Sequence, residues 1–125
     1  LDDNSNGTKY STRAANAFVT VAQKEPQKAL AFNAALFTNQ PSEGSNGLTD
    51  EELVARAKSV GVSDAVTSTF ASQPQAAFVK GSNDAAFAAG IQSTPTVKIN
   101  GTVFSRNLYS AGSLRAAAEK AASGK

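Results

Sequence analysis

Residues 92–104 of this chain read Gln92-Ser93-Thr94-Pro95-Thr96-Val97-Lys98-Ile99-Asn100-Gly101-Thr102-Val103-Phe104. Two short runs, 96–99 and 102–104, lie on either side of Asn100-Gly101. Asn-Gly is a preferred two-residue turn of a β-hairpin because both residues tolerate positive φ. We therefore expect one hairpin, with the Thr94-Pro95 step in the loop that leads into it.

The rest of the chain predicts helices. Apolar residues recur at spacings of three and four, which predicts helices over about 12–23, 26–38, 50–60, 64–71 and 74–89. A last helix is predicted to begin after Ser110 or Ser113 and to end at about Ala122. Small polar residues precede several of these segments, and we expect side-chain caps from Ser11 or Thr12, from Ser63, and from Ser110 or Ser113. Residues 1–9 are polar and predict an extended or loose start, and Ser123 to Lys125 predict a frayed tail.

The clearest helix start is at Thr49. Thr49 and Glu52 form the pattern of a capping box, in which each side chain bonds to the backbone of the other residue. Asp50, Glu51 and Glu52 follow as acidic residues near the positive end of the helix. We interpret them as a solvated helix start rather than a metal or acid–base cluster, because adjacent helical positions point in different directions.

The apolar residues are numerous but small. Hydrophobic residues make up 41% of the 125 residues, and 24 of them are Ala. One domain with a modest core follows from this composition and length. Most of the Phe residues are predicted to be core rather than a binding stripe: Phe18, Phe32, Phe37, Phe70, Phe78 and Phe87.

Composition excludes several classes of function. The chain has no Cys, no His and no Met, and its net charge is +2 with basic residues scattered singly. We therefore expect no disulfide, no thiolate or histidine metal site, no nucleic-acid partner and no membrane contact from this chain. Because Leu1 stands where an initiator Met is expected, we interpret the chain as processed or cut, and Leu1 as the point of scission.

A lone hairpin is a weak sheet. An isolated two-stranded hairpin is marginally stable, and its outer edges are open to pairing with another strand. We expect a missing N-terminal segment or a second copy of this chain to complete the sheet.

Three segments resemble the DsbA family of extracytoplasmic thiol-disulfide oxidoreductases. Ser11-Thr12-Arg13-Ala14-Ala15-Asn16-Ala17 resembles the start of that family's inserted helical domain. Residues 35–41 and 47–53 resemble its middle helices and the loop between them. Gly90-Ile91-Gln92-Ser93-Thr94-Pro95-Thr96-Val97-Lys98-Ile99-Asn100-Gly101 resembles the return to its thioredoxin core. The order and spacing of these segments carry the resemblance.

The resemblance implies an α/β thioredoxin-like fold of the DsbA type in the full-length parent protein. These 125 residues would supply a mostly helical part with one β-hairpin and a C-terminal helix, without the first βαβ unit and its Cys-X-X-Cys. Residues 1–90 would be the inserted helical domain with its N-terminal segment, and residues 91–125 the remaining thioredoxin core. In the family the equivalent of Pro95 is cis, and we expect a cis bond here.

The resemblance also implies a function. The parent would exchange disulfides of secreted proteins, as oxidant or isomerase, without a dissociable cofactor, in the bacterial cell envelope or as a secreted or membrane-anchored protein. Ser93, Thr94 and Pro95 would contact the substrate, while the chain itself has no catalytic cysteine and is predicted to be inactive alone. The alternative is a redox-inactive DsbA-like module that binds extended polypeptides. Substrate identity and redox direction stay open.

Overall fold

The computed structural model describes residues 2–124. Leu1 and Lys125, and with them the predicted scission point and the last residue of the predicted tail, lie outside the described residues. The chain divides into two compact units, the first ending at Asp84 and the second beginning at Ala85. The predicted boundary at residue 90, between an inserted domain and a thioredoxin core, stays a prediction.

The described residues form six α-helices, two 3₁₀ helices and one hairpin. In chain order they are a 3₁₀ helix at Asp2–Ser5, α1 at Tyr10–Lys24, α2 at Pro26–Thr38, α3 at Asp50–Ser59, α4 at Asp64–Thr67, a 3₁₀ helix at Phe70–Ser72, α5 at Ala76–Ala88, β1 at Lys98–Ile99, β2 at Thr102–Val103 and α6 at Ser113–Ala122.

The first helix begins differently from the prediction. Neither Ser11 nor Thr12 caps α1. The helix begins at Tyr10, and the residue before it, Lys9, has a left-handed backbone conformation with φ 55°. The carboxylate of Asp2 accepts hydrogen bonds from the backbone N–H and the hydroxyl of Thr12 instead, at 3.0 and 2.7 Å. The predicted loose start is therefore wrong, because residues 2–5 form a 3₁₀ helix that is hydrogen-bonded to the first turn of α1.

The capping box at Thr49 is confirmed. The backbone N–H of Glu52 donates to the Thr49 hydroxyl at 3.2 Å, and the backbone N–H of Thr49 donates to the Glu52 carboxylate at 2.8 Å. Ser63 is the N-cap residue of α4, as predicted, but without the side-chain bond of a cap, and the predicted caps of α6 are wrong. The helix α6 begins after Gly112 at φ 77°, while the Ser113 hydroxyl donates to the carbonyl of Asn107.

The core lies in the first unit. Its buried residues come from α1, α2, α3, α4 and the second 3₁₀ helix, with Leu48 and Val62 from the connecting segments. The rings of Phe32 and Phe70 stack at its centre, with centroids 6.1 Å apart and an angle of 18° between their planes. Phe18 packs against the edge of this cluster.

Several large apolar residues that the spacing placed inside are exposed. Phe37, Phe78 and Phe87, all predicted to be core, are 69%, 57% and 70% exposed. Leu30, another apolar residue of α2, is 83% exposed. For Phe37 and Leu30 the reason is that α2 carries apolar residues all around its axis, while only one stripe, centred on Phe32, meets the core. Helical periodicity identified the helix but did not identify its buried face.

Two polar side chains of α1 connect distant parts of the first unit. Arg13 donates to the carboxylate of Asp50 at 2.8 Å, to the carbonyl of Leu48 at 2.8 Å and to the carbonyl of Thr8 at 2.9 Å. Asn16 is 1% exposed and bonds to the backbone of Phe70 and Gln75.

The aromatic ring of Tyr10 lies beside Arg13, whose guanidinium carbon is 6.0 Å from the ring centroid. Burial raises the pKa of the Tyr10 phenol above its ordinary value of 10.0, and the positive charge of Arg13 opposes this with a smaller effect. The ring also fills the space beside Gly47, where an added Cβ would overlap it.

The second unit contains the end of α5, the hairpin and α6. None of its described residues, 85–124, is buried. Within residues 2–124, no helix combines the length and apolarity that crossing a membrane requires.

Candidate functional site

The loop from Ser93 to Pro95 lies between the end of α5 and β1. A left-handed Gly90, at φ 77°, ends the helix, and the backbone N–H of Ile91 donates back to the carbonyl of Ala86 at 3.1 Å. The Thr94-Pro95 peptide bond is cis, as predicted. The hydroxyl of Thr96 donates to the carbonyl of Ser93 at 2.5 Å and closes the loop.

The backbone of this loop is accessible. Ser93, Thr94 and Pro95 are all exposed. Within the described part of the chain, neither the N–H nor the carbonyl of Thr94 has a hydrogen-bond partner. A segment in extended conformation can pair with such a donor and acceptor as it would with the edge of a sheet. The role of these three residues as substrate contacts stays a prediction.

The hairpin that follows the loop has the predicted turn but shorter strands. Asn100 and Gly101 have φ 48° and 79°, as the favoured two-residue turn requires. Lys98 pairs with Val103 and Ile99 with Thr102, so each strand has only two residues. The backbone N–H of Phe104 adds one more bond, to the carbonyl of Val97 at 2.8 Å.

The loop has no reactive group of its own. The chain contains no cysteine, so no thiolate is present to attack a disulfide. Among residues 2–124, no three Asp or Glu residues come together in a group that would hold a metal ion. What the loop can offer to a partner is backbone hydrogen bonding and the exposed ring of Pro95.

A second feature of this unit was not predicted from the sequence. A groove of about 630 Å³ lies between the hairpin and α6, with Phe104 and Ala117 among its lining residues and Arg106 and Lys120 at its rim. The signal that could have found these two cations is the uneven distribution of charge along the chain. Residues 85–125 hold five basic residues and one acidic residue, whereas residues 1–84 hold seven and nine.

Comparison with known proteins gives a family but no individual relative. No curated protein and no solved structure matches the chain. A family model described as Thioredoxin matches residues 3–118, which is nearly the whole length of the chain. The mostly helical structure with its small sheet is therefore a thioredoxin-like domain, and the chain belongs to the thioredoxin family.

Proposed function

We propose that this chain is the polypeptide-docking part of a DsbA-like thiol-disulfide oxidoreductase or isomerase that acts on secreted proteins. Membership of the thioredoxin family supports a redox-related role. The observation that carries the proposal is the exposed backbone of Thr94, unpaired within residues 2–124 and next to Pro95.

The sulfur chemistry of such an enzyme needs groups that these residues lack. In disulfide exchange a thiolate attacks one sulfur of a disulfide, a mixed disulfide forms, and the other sulfur leaves as a thiolate. Since the chain has no cysteine, the attacking thiolate must come from outside these 125 residues. The chain alone should therefore give no turnover above background in an insulin-reduction assay.

Docking, in contrast, needs only the residues present. An extended segment of substrate would accept a hydrogen bond from the N–H of Thr94 and donate one to its carbonyl, as an added strand does. Each such bond contributes about 0.5–1.5 kcal/mol, so binding through this loop alone is weak. Weak, sequence-tolerant binding suits an enzyme that must release many different substrates.

The docking step can be tested on the chain as it is. Amide shifts of the ¹⁵N-labelled chain would be followed while carboxymethylated insulin B chain, which has no free thiol, is added. We expect a saturable shift of the Thr94 amide. Thr94→Ala keeps the backbone N–H and should bind as the wild type does, whereas Thr94→Pro removes that donor and should not bind.

The same two variants can also contradict the proposal. Equal binding by Thr94→Pro and Thr94→Ala, with the hairpin amides unchanged in both, would show that the Thr94 N–H does not hold the peptide. Absence of any amide shift at Ser93 and Thr94 in the wild type would remove the docking function altogether.

A second candidate is a redox-inactive DsbA-like module that binds extended polypeptides. The lack of cysteine in a chain with an accessible docking loop favours it. The encoding sequence ahead of Leu1 distinguishes the two candidates. A Cys-X-X-Cys there supports the enzyme, and Ser or Ala at both positions supports the binding module.

We also propose a location outside the cytoplasm, in the bacterial cell envelope or secreted, and a partner for the sheet. The sheet has two strands of two residues each, and such a hairpin is marginal alone. An N-terminal segment or a second copy of the chain would complete it. A lone monomer in sedimentation velocity, whose hairpin amides are nevertheless protected from hydrogen exchange, would contradict this proposal.

A further inference from the structure

The groove between the hairpin and α6 combines an apolar floor with a positive rim. Ile99, Phe104, Ala117 and Ala121 line it and are half-buried, and Val103 lines it and is 55% exposed. Its volume, about 630 Å³, lies within the range of ligand-binding clefts. Ser93, Thr94 and Pro95 do not line it, so the groove is a different surface from the docking loop.

The cations at the rim have no acidic partner within the described residues. Arg106 and Lys120 are exposed and make no ion pair there. Glu119 is the one acid of residues 85–125, and its carboxylate is taken by Arg115 at 2.8 Å. The charge that the groove lacks is therefore negative, and a partner would have to bring it.

We propose that this groove docks an acidic peptide segment with aliphatic side chains, bound in extended conformation beside β2. The apolar floor would take the aliphatic side chains, and Arg106 and Lys120 would face the carboxylates. Among residues 2–124, the outer edge of β2 has no strand paired with it, so a peptide backbone could bond to it by strand addition. A lipid headgroup or a free acid has no backbone to offer.

A nucleic acid fits this groove less well than a peptide. Single-stranded binding sites combine a continuous cationic track with aromatic rings on which bases stack. This groove has two cations and one half-buried ring, that of Phe104. Complementary charge would steer the acidic peptide to the groove and make its binding sensitive to salt.

The test uses the full chain and two synthetic peptides labelled with fluorescein. One peptide alternates Glu and Val, and the other alternates Lys and Val. Fluorescence anisotropy should show saturable binding of the Glu–Val peptide, weaker binding as salt increases, and no binding of the Lys–Val peptide. Lys120→Glu should weaken binding about tenfold, and Lys24→Glu, which makes the same change of net charge in the first unit, should leave it unchanged.

A third variant tests the floor rather than the charge. Ala117→Trp would fill the groove on the surface of α6 and should weaken binding without reversing any charge. Far-UV circular dichroism would show that each variant keeps its helices. Thr94→Pro should leave Glu–Val binding intact, because Thr94 does not line the groove.

Several outcomes would overturn the inference. Equal loss of binding in Lys24→Glu and Lys120→Glu would show that the net charge of the chain, and not the groove, attracts the peptide. Binding of vesicles of phosphatidylglycerol more tightly than the Glu–Val peptide would assign the groove to a membrane surface. Self-association that the peptide does not displace, and that Ala117→Trp abolishes, would assign it to a second copy of the chain.

Discussion

Asn16 connects α1 to the segment between Phe70 and Gln75 through both ends of its side-chain amide. Its Nδ2 donates to the carbonyl of Phe70 at 3.2 Å, and its Oδ1 accepts from the N–H of Gln75 at 2.8 Å. Asn16→Ala would leave the N–H of Gln75 without a partner in a site that is 1% exposed. It would also remove one of the two hydrogen bonds that the carbonyl of Phe70 accepts, since the N–H of Gln73 donates to the same carbonyl at 3.0 Å. The unsatisfied N–H costs about 1–3 kcal/mol and the lost bond to the carbonyl about 0.5–1.5 kcal/mol, so we expect a loss of about 1.5–4.5 kcal/mol of stability.

Urea unfolding followed by far-UV circular dichroism would measure this loss. The midpoint should fall while the slope stays unchanged, because the surface exposed on unfolding is nearly the same. Asn83→Ala makes the same substitution at an exposed position of α5 and should change stability by no more than about 0.5 kcal/mol. A loss below about 1 kcal/mol for Asn16→Ala would refute the role of the two hydrogen bonds.

Asn16→Asp adds a test of the direction in which stability changes with pH. The introduced carboxylate still accepts from the N–H of Gln75, but its other oxygen faces the carbonyl of Phe70 unless it is protonated. Burial and this repulsion raise the folded-state pKa of the introduced carboxyl above its unfolded value of about 3.9. The variant should therefore be closest to the wild type below about pH 4 and lose stability as pH rises through the folded pKa. A deficit that is equal at pH 4 and pH 7 would contradict the buried donor bond.

Three further predictions concern the contacts of the first unit. Gly44 and Gly47 both have positive φ, but only at Gly47 would an added Cβ overlap Tyr10. In urea unfolding, Gly44→Ala should lower the free energy of unfolding by about 1–2 kcal/mol, and Gly47→Ala should lower it by about 1–3 kcal/mol more. Equal losses in the two variants would rule out the overlap. Arg13→Lys keeps the charge but loses the planar fork that reaches a carboxylate and two carbonyls; the free energy of unfolding should fall by about 1–3 kcal/mol, whereas a change below about 0.5 kcal/mol would count against the fork. In a Tyr109→Phe background, the ultraviolet titration of Tyr10 should have its midpoint at a pH above 10.0. Because the phenol ionises at lower pH in the unfolded state, the free energy of unfolding should fall as pH rises through the folded-state pKa. Tyr10→Phe should remove that part of the loss.

The sequence predicted the features that short stretches of chain determine. The Asn100-Gly101 turn needs two residues that tolerate positive φ, and the capping box needs Thr49 and Glu52 three positions apart. Pro26 begins α2 where a missing N–H does no harm. In each case the physical cause lies within four residues, so the pattern and its structure coincide.

The features that were missed depend on residues far apart in sequence. The cap of α1 comes from Asp2, ten positions before the residue it bonds to. The exposed face of α2 could be known only once the position of Phe70 against Phe32 was known. In the candidate site, the loop at Thr94 was located from its residues alone, but the groove beside α6 required the hairpin and the helix to be placed together.

The absence of any buried side chain among residues 85–124 has a dynamic consequence. Local opening takes little free energy where few apolar contacts must be broken, so amide hydrogens of the hairpin and α6 should exchange with deuterium well before those of α1. Any partner that covers this unit would slow that exchange. The protection pattern of these residues would then map the contact surface of the partner, even for a partner whose identity is still unknown.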